Sequence, residues 1–300
     1  MNEKDRDNLL VSIGLITYNR PEYLSGVIDS WLAQTYRNFE LIISNDASPD
    51  ERTDYICREY ARKDKRIRYF KQKGNLGILR NQKFVLYQAR GKYFVWSADD
   101  DLRDTRFLEE CLGVHYMNPG LVMVFANMID IDKDGNILRR PDPAKYLPLS
   151  DSAYERLKAY TLFYSQDGKV QLILGLWNRE TILNDHLFGL NVTNGKPPDY
   201  WGFDNYFVFQ NLAKGPLGIT SRSDFFRRSR VLEDDRKPRP LLPRLAVTFV
   251  HRIRKIFASP YFYYVARCIV NTRELSFGEK IKLLLWNVFV MARLFFCRKM

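Results

Sequence analysis

Short apolar runs rich in β-branched residues alternate with longer segments of helical periodicity over the first 130 residues. The apolar runs predict strands at Val11–Ile16, Phe39–Ser44, Ile67–Phe70, Lys92–Ser97 and Val122–Asp130. The segments between them predict helices at Pro21–Gln34, Glu51–Lys63 and Asn81–Ala89. Strands and helices therefore follow one another as β-α-β units, which predicts an α/β fold with a mostly parallel central sheet flanked by helices.

The pattern changes after the fifth predicted strand. Residues 132–136 have the composition of a hairpin turn, and prolines between residues 139 and 152 predict a loop. Residues 221–240 are rich in Arg, Asp and Pro and predict a surface linker. Basic aromatic helices are predicted beyond it, at Leu241–Phe257, Pro260–Asn271 and Phe277–Phe296. The predicted organisation is a domain over residues 1–220, a linker over 221–240 and a basic amphipathic helical extension over 241–300.

The net charge of the 300-residue chain is +12, and the excess lies entirely in its C-terminal quarter. Residues 221–300 hold 18 Lys/Arg and 6 Asp/Glu, whereas residues 1–220 hold 29 of each. A nucleic-acid enzyme with a basic cleft would carry excess charge in the folded domain, so no nucleic-acid partner is expected. The distribution favours a neutral globular domain with a basic appendage.

The cysteines and the N-terminus indicate the cellular setting. The four cysteines lie far apart, with no C-x-x-C pair and no neighbouring histidines, so neither a zinc site nor a disulfide framework is predicted. A reducing, cytoplasmic setting is expected. The N-terminal apolar run follows Asp5 and Asp7 and is not followed by a small-residue cleavage site, so it predicts a strand rather than a signal peptide.

Three consecutive aspartates, Asp99, Asp100 and Asp101, follow the fourth predicted strand. Crowded carboxylates repel and raise one another's pKa, a cost that a divalent cation removes. Mg²⁺ and Mn²⁺ prefer carboxylate oxygens, and ligands of open α/β sheets bind at the carboxyl ends of the strands. The alternative is a solvated acidic cap for the helix expected from Arg106 onward.

Four ordered motifs resemble those of the family 2 inverting glycosyltransferases of the GT-A fold. They are VSIGLITYNR from Val11 to Arg20, IISNDAS from Ile42 to Ser48, Asn75-Leu76-Gly77 with Arg80-Asn81, and GKYFVWSADDD from Gly91 to Asp101. The resemblance extends over approximately residues 1–215. It implies a GT-A-type, Rossmann-like fold, a nucleotide-sugar donor and a Mn²⁺ or Mg²⁺ cofactor.

The resemblance also assigns the donor side of the site. Thr17, Tyr18 and Asn19 are expected to line the nucleotide, with Tyr18 stacked on the base. Asp46 is expected to accept a hydrogen bond from the imide N–H of uracil, which favours a UDP-sugar. Arg80 is expected to approach the diphosphate or the sugar. The residue types also allow a core-edge tyrosine, an Asx-turn or helix cap at Asp46, and a surface arginine.

Within the acidic triplet, the resemblance implies that Asp99 meets the ribose or the metal and that Asp100 binds the metal. Ser97 stands where family members often carry the first aspartate of the motif. The register can therefore shift by one residue, which makes Asp101 a further expected metal ligand.

The segment from Asp199 to Gly215 resembles the part of the family that carries the catalytic base. Asp204 is expected to be that base, with Phe203 in place of the usual acidic residue and Asp199 as the substitute candidate. A helix N-cap is the alternative role of Asp204. Inverting transfer is a single displacement that needs one base, so a second carboxylate nucleophile is not required.

The acceptor side is expected to include Trp177, Asp199 and Trp201. The two tryptophans offer flat surfaces on which a sugar ring can stack, and a position in the hydrophobic core is the alternative for each.

The helix predicted at Phe277–Phe296 carries Lys280, Lys282 and Arg293 along a long apolar surface. A spanning helix needs about 20 mainly apolar residues, so an interfacial helix on anionic lipid fits this mixture better. The expected partner of residues 241–300 is a membrane surface, with the chain peripheral on its cytoplasmic face. Packing on the preceding domain or in a dimer interface is the alternative.

The expected function is inverting transfer of a sugar from a nucleotide-sugar, preferably a UDP-sugar, to a saccharide or lipid-linked saccharide acceptor in cell-surface glycan synthesis. A nucleotidyltransferase is one alternative, although the Gly-rich basic signature expected near its N-terminus is not present in Thr17–Arg20. A non-catalytic peripheral membrane scaffold with a vestigial donor site is the other. Such a scaffold would require residues 241–300 but not Asp204.

Overall fold

The computed structural model describes residues 8–146, 150–162, 169–183, 203–229, 265–266 and 269–296. Its strands are β1 Val11–Thr17, β2 Phe39–Asn45, β3 Ile67–Lys71, β4 Tyr93–Ser97, β5 Leu102–Arg103, β6 Met123–Ile131, β7 Ile137–Arg139, β8 Leu176–Asn178 and β9 Leu217–Arg228. Its α-helices are α1 Pro21–Leu32, α2 Glu51–Lys63, α3 Ile78–Gln88, α4 Phe107–Met117, α5 Ala153–Leu162, α6 Arg179–Leu183, α7 Phe203–Lys214 and α8 Phe277–Phe296. Short 3₁₀ helices occupy Pro143–Tyr146 and Lys169–Leu174.

The described strands form one nine-stranded sheet in the order β3-β2-β1-β4-β8-β6-β9-β5, with β7 paired to β6. Strands β3, β2, β1 and β4 are parallel, as the β-α-β pattern predicted. The other half is mixed: β8 runs antiparallel to β4 and β6, β6 runs parallel to β9, and β5 runs antiparallel to β9. The α/β class is confirmed, and the parallel arrangement is confined to the first half of the sheet.

The helices pack on the sheet through large buried side chains. Trp31 of α1 is fully buried and donates its Nε1–H to Ser97 Oγ at 2.9 Å, which fixes α1 against the end of β4. Phe207 of α7 meets Trp96 of β4 and Trp177 of β8 edge-on, each at a ring-centroid distance of 5.3 Å. The two helices are therefore held against the strand that leads into the acidic triplet.

Helix α3 begins three residues before the predicted start. Asn81, the first residue of the predicted helix, lies inside α3, where its side chain is buried and bonded to the Ser44 hydroxyl and carbonyl. The preceding loop ends at Gly77, whose φ of 80° lies in the left-handed region that favours glycine. The helix starts directly after this glycine.

Strand β9 shows that the predicted start of the linker is wrong. Residues 221–228 belong to the central sheet, where β9 pairs with β6. The arginines that suggested an exposed linker have fixed partners: Arg227 donates to both oxygens of buried Asp130 at 2.6 and 2.7 Å, and Arg228 donates to the Asp132 carbonyl at 2.8 Å. In a sequence, charged strand residues with such partners cannot be distinguished from the charged residues of an exposed linker. Residues 230–240 lie outside the described residues.

Helix α8 has the predicted bounds, Phe277–Phe296, and packs against α5. Trp286 donates its Nε1–H to Thr161 Oγ1 at 2.9 Å across this contact. The helix predicted at Leu241–Phe257 and most of that at Pro260–Asn271 lie outside the described residues. Among the helices that are described, none combines the length and apolar character needed to cross a bilayer.

Gly14, in the middle of β1, allows a close approach of neighbouring side chains. A Cβ at this position would lie 2.6 Å from Phe94 Cζ and 2.7 Å from Val85 Cγ2. Gly14→Ala is therefore expected to lower the free energy of unfolding by about 1–3 kcal/mol, measured by urea denaturation. Gly26→Ala in α1 is the control, because a Cβ there meets nothing within 4 Å. Equal losses of stability in the two variants would contradict close packing at Gly14.

Candidate active site

The candidate site lies where three parallel strands end. Strand β1 ends at Thr17, β2 at Asn45 and β4 at Ser97, and Thr17 is aligned with Asn45 in the sheet. The loops that follow these strands therefore meet at one edge of the sheet. In α/β sheets this edge is where ligands bind.

The loop after β1 forms a sharp turn. Asn19 has a φ of 57°, and its amide donates to Ser48 Oγ at 2.9 Å. The Tyr18 amide donates to Asp99 Oδ2 at 3.2 Å, which joins this turn to the acidic triplet. The Tyr18 side chain is 46% exposed, so a flat ligand can reach its ring.

Arg20 completes a charged cluster with the first two aspartates. Its Nη1 lies 3.0 Å from Asp99 Oδ1 and 2.7 Å from Asp100 Oδ2. Burial raises the pKa of the Asp99 carboxyl, and the charge of Arg20 opposes that rise. A cation supplied by the protein therefore lies between the two carboxylates.

This arrangement tests whether a divalent cation fits the site. Two carboxylate oxygens already converge on one positively charged nitrogen, and carboxylate oxygen is the ligand that Mg²⁺ and Mn²⁺ prefer. In the part of the chain that the structure describes, no three His, Cys, Asp or Glu side chains form a complete ligand set. Mg²⁺ usually binds one or two carboxylates and completes its shell with water and substrate phosphates. The pair Asp99 and Asp100 therefore fits an ion that binds together with a diphosphate.

Asp101 has a different environment from its two neighbours. Its carboxylate is buried and accepts the Arg228 amide at 2.9 Å, while Arg228 Nε donates to the Asp100 carbonyl at 3.1 Å. Burial raises the pKa of Asp101 to about 7. These contacts do not support the metal role predicted for Asp101. Its carboxylate anchors β9 to the acidic loop instead.

Asp46 organises the loop that follows β3. Its Oδ1 accepts the Leu76 amide at 2.7 Å and its Oδ2 accepts the Gly77 amide at 3.0 Å. The side chain is buried, and each oxygen retains a lone pair beyond these bonds. Asp46 thus joins the second motif to the third, and a bond to a nucleobase would have to use the remaining lone pairs.

Arg80 lies in the first turn of α3 and is exposed, directly after the loop that Asp46 holds. The same loop and the end of β3 line a cleft of about 460 Å³. Phe70 and Phe84, which meet edge-on at 5.2 Å, line it together with polar residues of the loop. Arg80 itself does not line this cleft, but it follows in the chain the loop that does.

Asp204 lies in the first turn of helix α7 and is partly buried. Burial raises the pKa of its carboxyl to about 6. A value near the working pH suits a general base. One turn later, Phe207 packs on Trp96, so the helix that carries Asp204 contacts the strand that leads into the acidic triplet.

Trp177 is a core residue, and the acceptor role predicted for it is wrong. Its side chain is 1% exposed, and its Nε1–H donates to the Ile173 carbonyl at 2.8 Å. A ring enclosed by protein on both faces cannot stack on a sugar. The other two acceptor-side candidates, Asp199 and Trp201, lie outside the described residues and stay predictions.

Two arginines of the site, Arg20 and Arg228, were not among the predicted residues. Arg20 had a signal in the sequence, because it directly follows Tyr18 and Asn19 in the first motif. Arg228 had none, since 127 positions separate it from Asp101 and the fold alone brings them together.

A family comparison agrees with this geometry. Residues 12–171, more than half of the chain, match Glycosyl transferase family 2. The chain belongs to glycosyl transferase family 2. The family that the four motifs resemble is thereby confirmed, and the matched part of the chain is a glycosyltransferase domain.

Curated relatives of this family 2 chain match only part of it. An uncharacterized glycosyltransferase of Methanocaldococcus jannaschii is 36% identical over 143 residues, which are 47% of this chain and 49% of the relative. Another, of Rickettsia bellii, is 37% identical over 138 residues, which are 44% of this chain and 19% of the relative. The chain spans about half or less of the length of these relatives.

Solved structures confirm the GT-A-type α/β fold of the family 2 chain. S. aureus TarS 1-349 in complex with UDP aligns with a TM-score of 0.62 at 15% identity, covering 92% of this chain and 70% of TarS 1-349. The same protein in complex with UDP-GlcNAc aligns with a TM-score of 0.61. The mannosyltransferase PcManGT of Pyrobaculum calidifontis, in complex with GDP-Man and Mn²⁺, aligns with a TM-score of 0.52 at 15% identity, covering 94% of this chain and 69% of PcManGT. At these identities the likeness concerns the fold alone.

Proposed function

We propose that this family 2 chain transfers a sugar, with inversion, from a UDP-sugar to a saccharide or lipid-linked saccharide acceptor. The observation that carries the proposal is the meeting of exposed Tyr18, the Asp46 loop and the Asp99–Asp100 pair at one edge of the sheet. This edge offers a stacking surface for a base, and acidic oxygens that can hold a divalent cation, within one group of loops. A base and a cation-bound diphosphate are the two parts of a nucleotide that such a site can recognise.

Each part of the donor has a proposed contact. The base stacks on Tyr18 within the turn formed by Thr17 and Asn19, and Arg80 approaches the diphosphate or the sugar. Asp99 and Asp100 would hold Mn²⁺ or Mg²⁺, and Asp99 would contact either the metal or the ribose. When bound, the ion neutralises negative charge on the diphosphate and on the departing UDP.

The proposed base is Asp204. Its carboxylate takes the proton from the acceptor hydroxyl as the hydroxyl oxygen forms a bond to the anomeric carbon. The bond between that carbon and the diphosphate oxygen breaks, and its electron pair leaves with UDP. A single displacement of this kind inverts the anomeric configuration and needs one base.

The proposed preference for uracil rests on Asp46, whose carboxylate oxygens can accept a hydrogen bond from an imide N–H. The TarS structures hold UDP and UDP-GlcNAc, whereas the PcManGT structure holds GDP-Man. Both nucleobases therefore occur among proteins of this fold, and the comparison of donors is the decisive test.

The proposed acceptor is carried at the cytoplasmic face of a membrane, in the synthesis of a cell-surface glycan. The support is the charge of residues 241–300, which hold 11 Lys/Arg and 2 Asp/Glu, a net charge of +9. Basic segments of this kind are attracted to anionic lipid.

Thermal unfolding with a series of donors tests the proposal. With Mn²⁺ present, a UDP-sugar at 100 times its Kd is expected to stabilise the chain by about 2.7 kcal/mol and to raise Tm by several degrees. A GDP-sugar at the same concentration is expected to raise Tm less, and EDTA is expected to reduce the UDP-sugar effect. A larger shift with a GDP-sugar would contradict the UDP preference.

A further inference from the structure

Helix α8 has one face that is packed against the domain. Leu283, Asn287 and Val290 are buried on this face. Trp286 bonds to Thr161 of α5, and Lys158 of α5 lies over the Trp286 ring at 5.3 Å. The orientation of α8 on the domain is therefore fixed by specific contacts.

The opposite face of α8 carries an exposed apolar ridge. Phe277, Ile281, Leu285 and Phe289 are 81%, 42%, 66% and 54% exposed. They follow one another at intervals of four residues, so they form a continuous stripe along the helix. We call these four residues the α8 ridge. Large apolar side chains in an exposed row mark an interaction surface.

The charges beside the ridge indicate its partner. Lys280 and Lys282 lie on either side of the ridge by helical spacing, and Arg273 is exposed just before the helix. Two acidic residues also lie near the start of the helix: Glu274 is exposed, and Glu279 accepts hydrogen bonds from the Ser276 amide and hydroxyl at 2.9 and 2.6 Å. The charge of this stretch is therefore positive by one unit. Pairing two copies of the chain through this face would bring these positive charges together, which costs free energy. An anionic lipid surface offers negative headgroups to the lysines and an apolar layer to the ridge.

We propose that the α8 ridge enters the headgroup–acyl boundary of an anionic membrane, with α8 lying flat on it. Helix α7, which carries Asp204, is then connected to the membrane surface through α5 and α8. Helix α5 packs on both α8 and α7, and the Tyr160 hydroxyl of α5 bonds to the Asn205 carbonyl, next to Asp204, at 3.3 Å. The value of this placement for a lipid-linked acceptor rests on the proposed function, whereas binding of the ridge to lipid does not.

Vesicle co-sedimentation of the full chain tests the proposal. Wild type is expected to bind vesicles of phosphatidylcholine with phosphatidylglycerol and to bind phosphatidylcholine vesicles more weakly. Phe277→Ser/Leu285→Ser is expected to weaken binding to the anionic vesicles about tenfold or more. Lys282→Gln is expected to weaken binding to the anionic vesicles about fivefold, and added salt is expected to reduce the difference in binding between this variant and wild type. Met117→Ser/Ile137→Ser, which removes exposed apolar side chains elsewhere, is the matched control and should bind as wild type.

Two further measurements separate the ridge from the donor site. UDP affinity and circular dichroism are expected to be the same in the ridge variant and in wild type. Unchanged vesicle binding by the ridge variant would overturn the proposal, as would a ridge-dependent dimer that binds no vesicles. If the wild-type chain does not bind UDP, the proposed function is contradicted, whereas the proposal that the α8 ridge binds lipid is unaffected.

Discussion

Replacing Asp204 with asparagine is expected to lower the sugar-transfer rate about 10²- to 10⁴-fold, the usual contribution of a general base. Asparagine has nearly the same volume but cannot take a proton from the acceptor hydroxyl. The affinity for UDP is expected to stay within about twofold, because the base acts on the acceptor rather than on the donor. The measurements are initial rates of transfer from a UDP-sugar and calorimetric titration with UDP.

The pH profile gives an independent readout of the same group. Burial raises the pKa of Asp204 to about 6, and the protonated carboxyl cannot act as a base. The wild-type rate is therefore expected to fall about tenfold per pH unit below pH 6. The residual rate of the asparagine variant should lack this dependence.

Glu180→Gln is the matched control for Asp204. Glu180 is an exposed acidic residue in the first turn of α6, and its replacement is expected to change neither the rate nor the pH profile. An Asp204→Asn enzyme with the wild-type rate and profile would leave Asp204 only as an acidic residue in the first turn of α7, without a role as base.

The raised pKa also has a consequence for stability. The folded-state pKa of about 6 exceeds the ordinary 3.8, so ionisation of Asp204 opposes folding. This cost is absent below pH 3.8 and complete above pH 6. Asp204→Asn is therefore expected to raise the free energy of unfolding at pH 7 by about 1–2 kcal/mol, less than the full shift implies because the helix N-terminus favours a negative charge. At low pH the two proteins should unfold alike.

Asp100→Asn is expected to lower the transfer rate about 100-fold or more and to remove most of the effect of Mn²⁺ on UDP affinity. The substitution removes one of the two charges that converge on Arg20, and a neutral amide oxygen is a weaker ligand for a hard cation. The second readout is essential, because UDP affinity with and without Mn²⁺ does not depend on an acceptor.

Asp134→Asn is the matched control for Asp100, since Asp134 is an exposed aspartate in the β6–β7 turn and contacts Lys133. It is expected to leave both the rate and the Mn²⁺ effect unchanged. Asp101→Asn provides a further comparison and is expected to weaken the attachment of β9, with lower thermal stability and a retained Mn²⁺ effect. Loss of the Mn²⁺ effect in Asp101→Asn with retention in Asp100→Asn would shift the metal assignment by one residue.

The sequence predicted the parallel half of the sheet because each strand there is a short apolar run and each helix has a periodic face. Helix α2 was predicted at its observed bounds, where Asp50 caps the helix and Cys57 is buried on its inner face. The second half was harder to predict, because β5, β7 and β8 are only two or three residues long. Such short strands leave no alternating pattern, and their pairing depends on strands far away in the chain.

The sequence predicted a site residue correctly where its type and its position after a strand were enough to locate it. It failed where the role of a residue depends on contacts with distant parts of the chain. The carboxyl ends of β1, β2 and β4 brought Tyr18, Asp46 and Asp99 to one edge, as their positions after apolar runs suggested. Asp101 and Trp177 differ because their environments come from β9 and α7, which no local pattern connects to them. A buried carboxylate and a metal ligand look alike in a sequence, as do a core tryptophan and a sugar platform.

Product analysis is the most direct test of the proposed function. The full chain reacts with a radiolabelled UDP-sugar, Mn²⁺ and a membrane extract that supplies the acceptor. We expect that UDP is released in equal amount to the sugar transferred, that the new linkage is inverted, and that Asp204→Asn lowers the formation of both products about 10²- to 10⁴-fold. Release of pyrophosphate would identify a nucleotidyltransferase. Absence of any turnover, with UDP bound and the chain folded, would contradict the catalytic role and support a membrane scaffold.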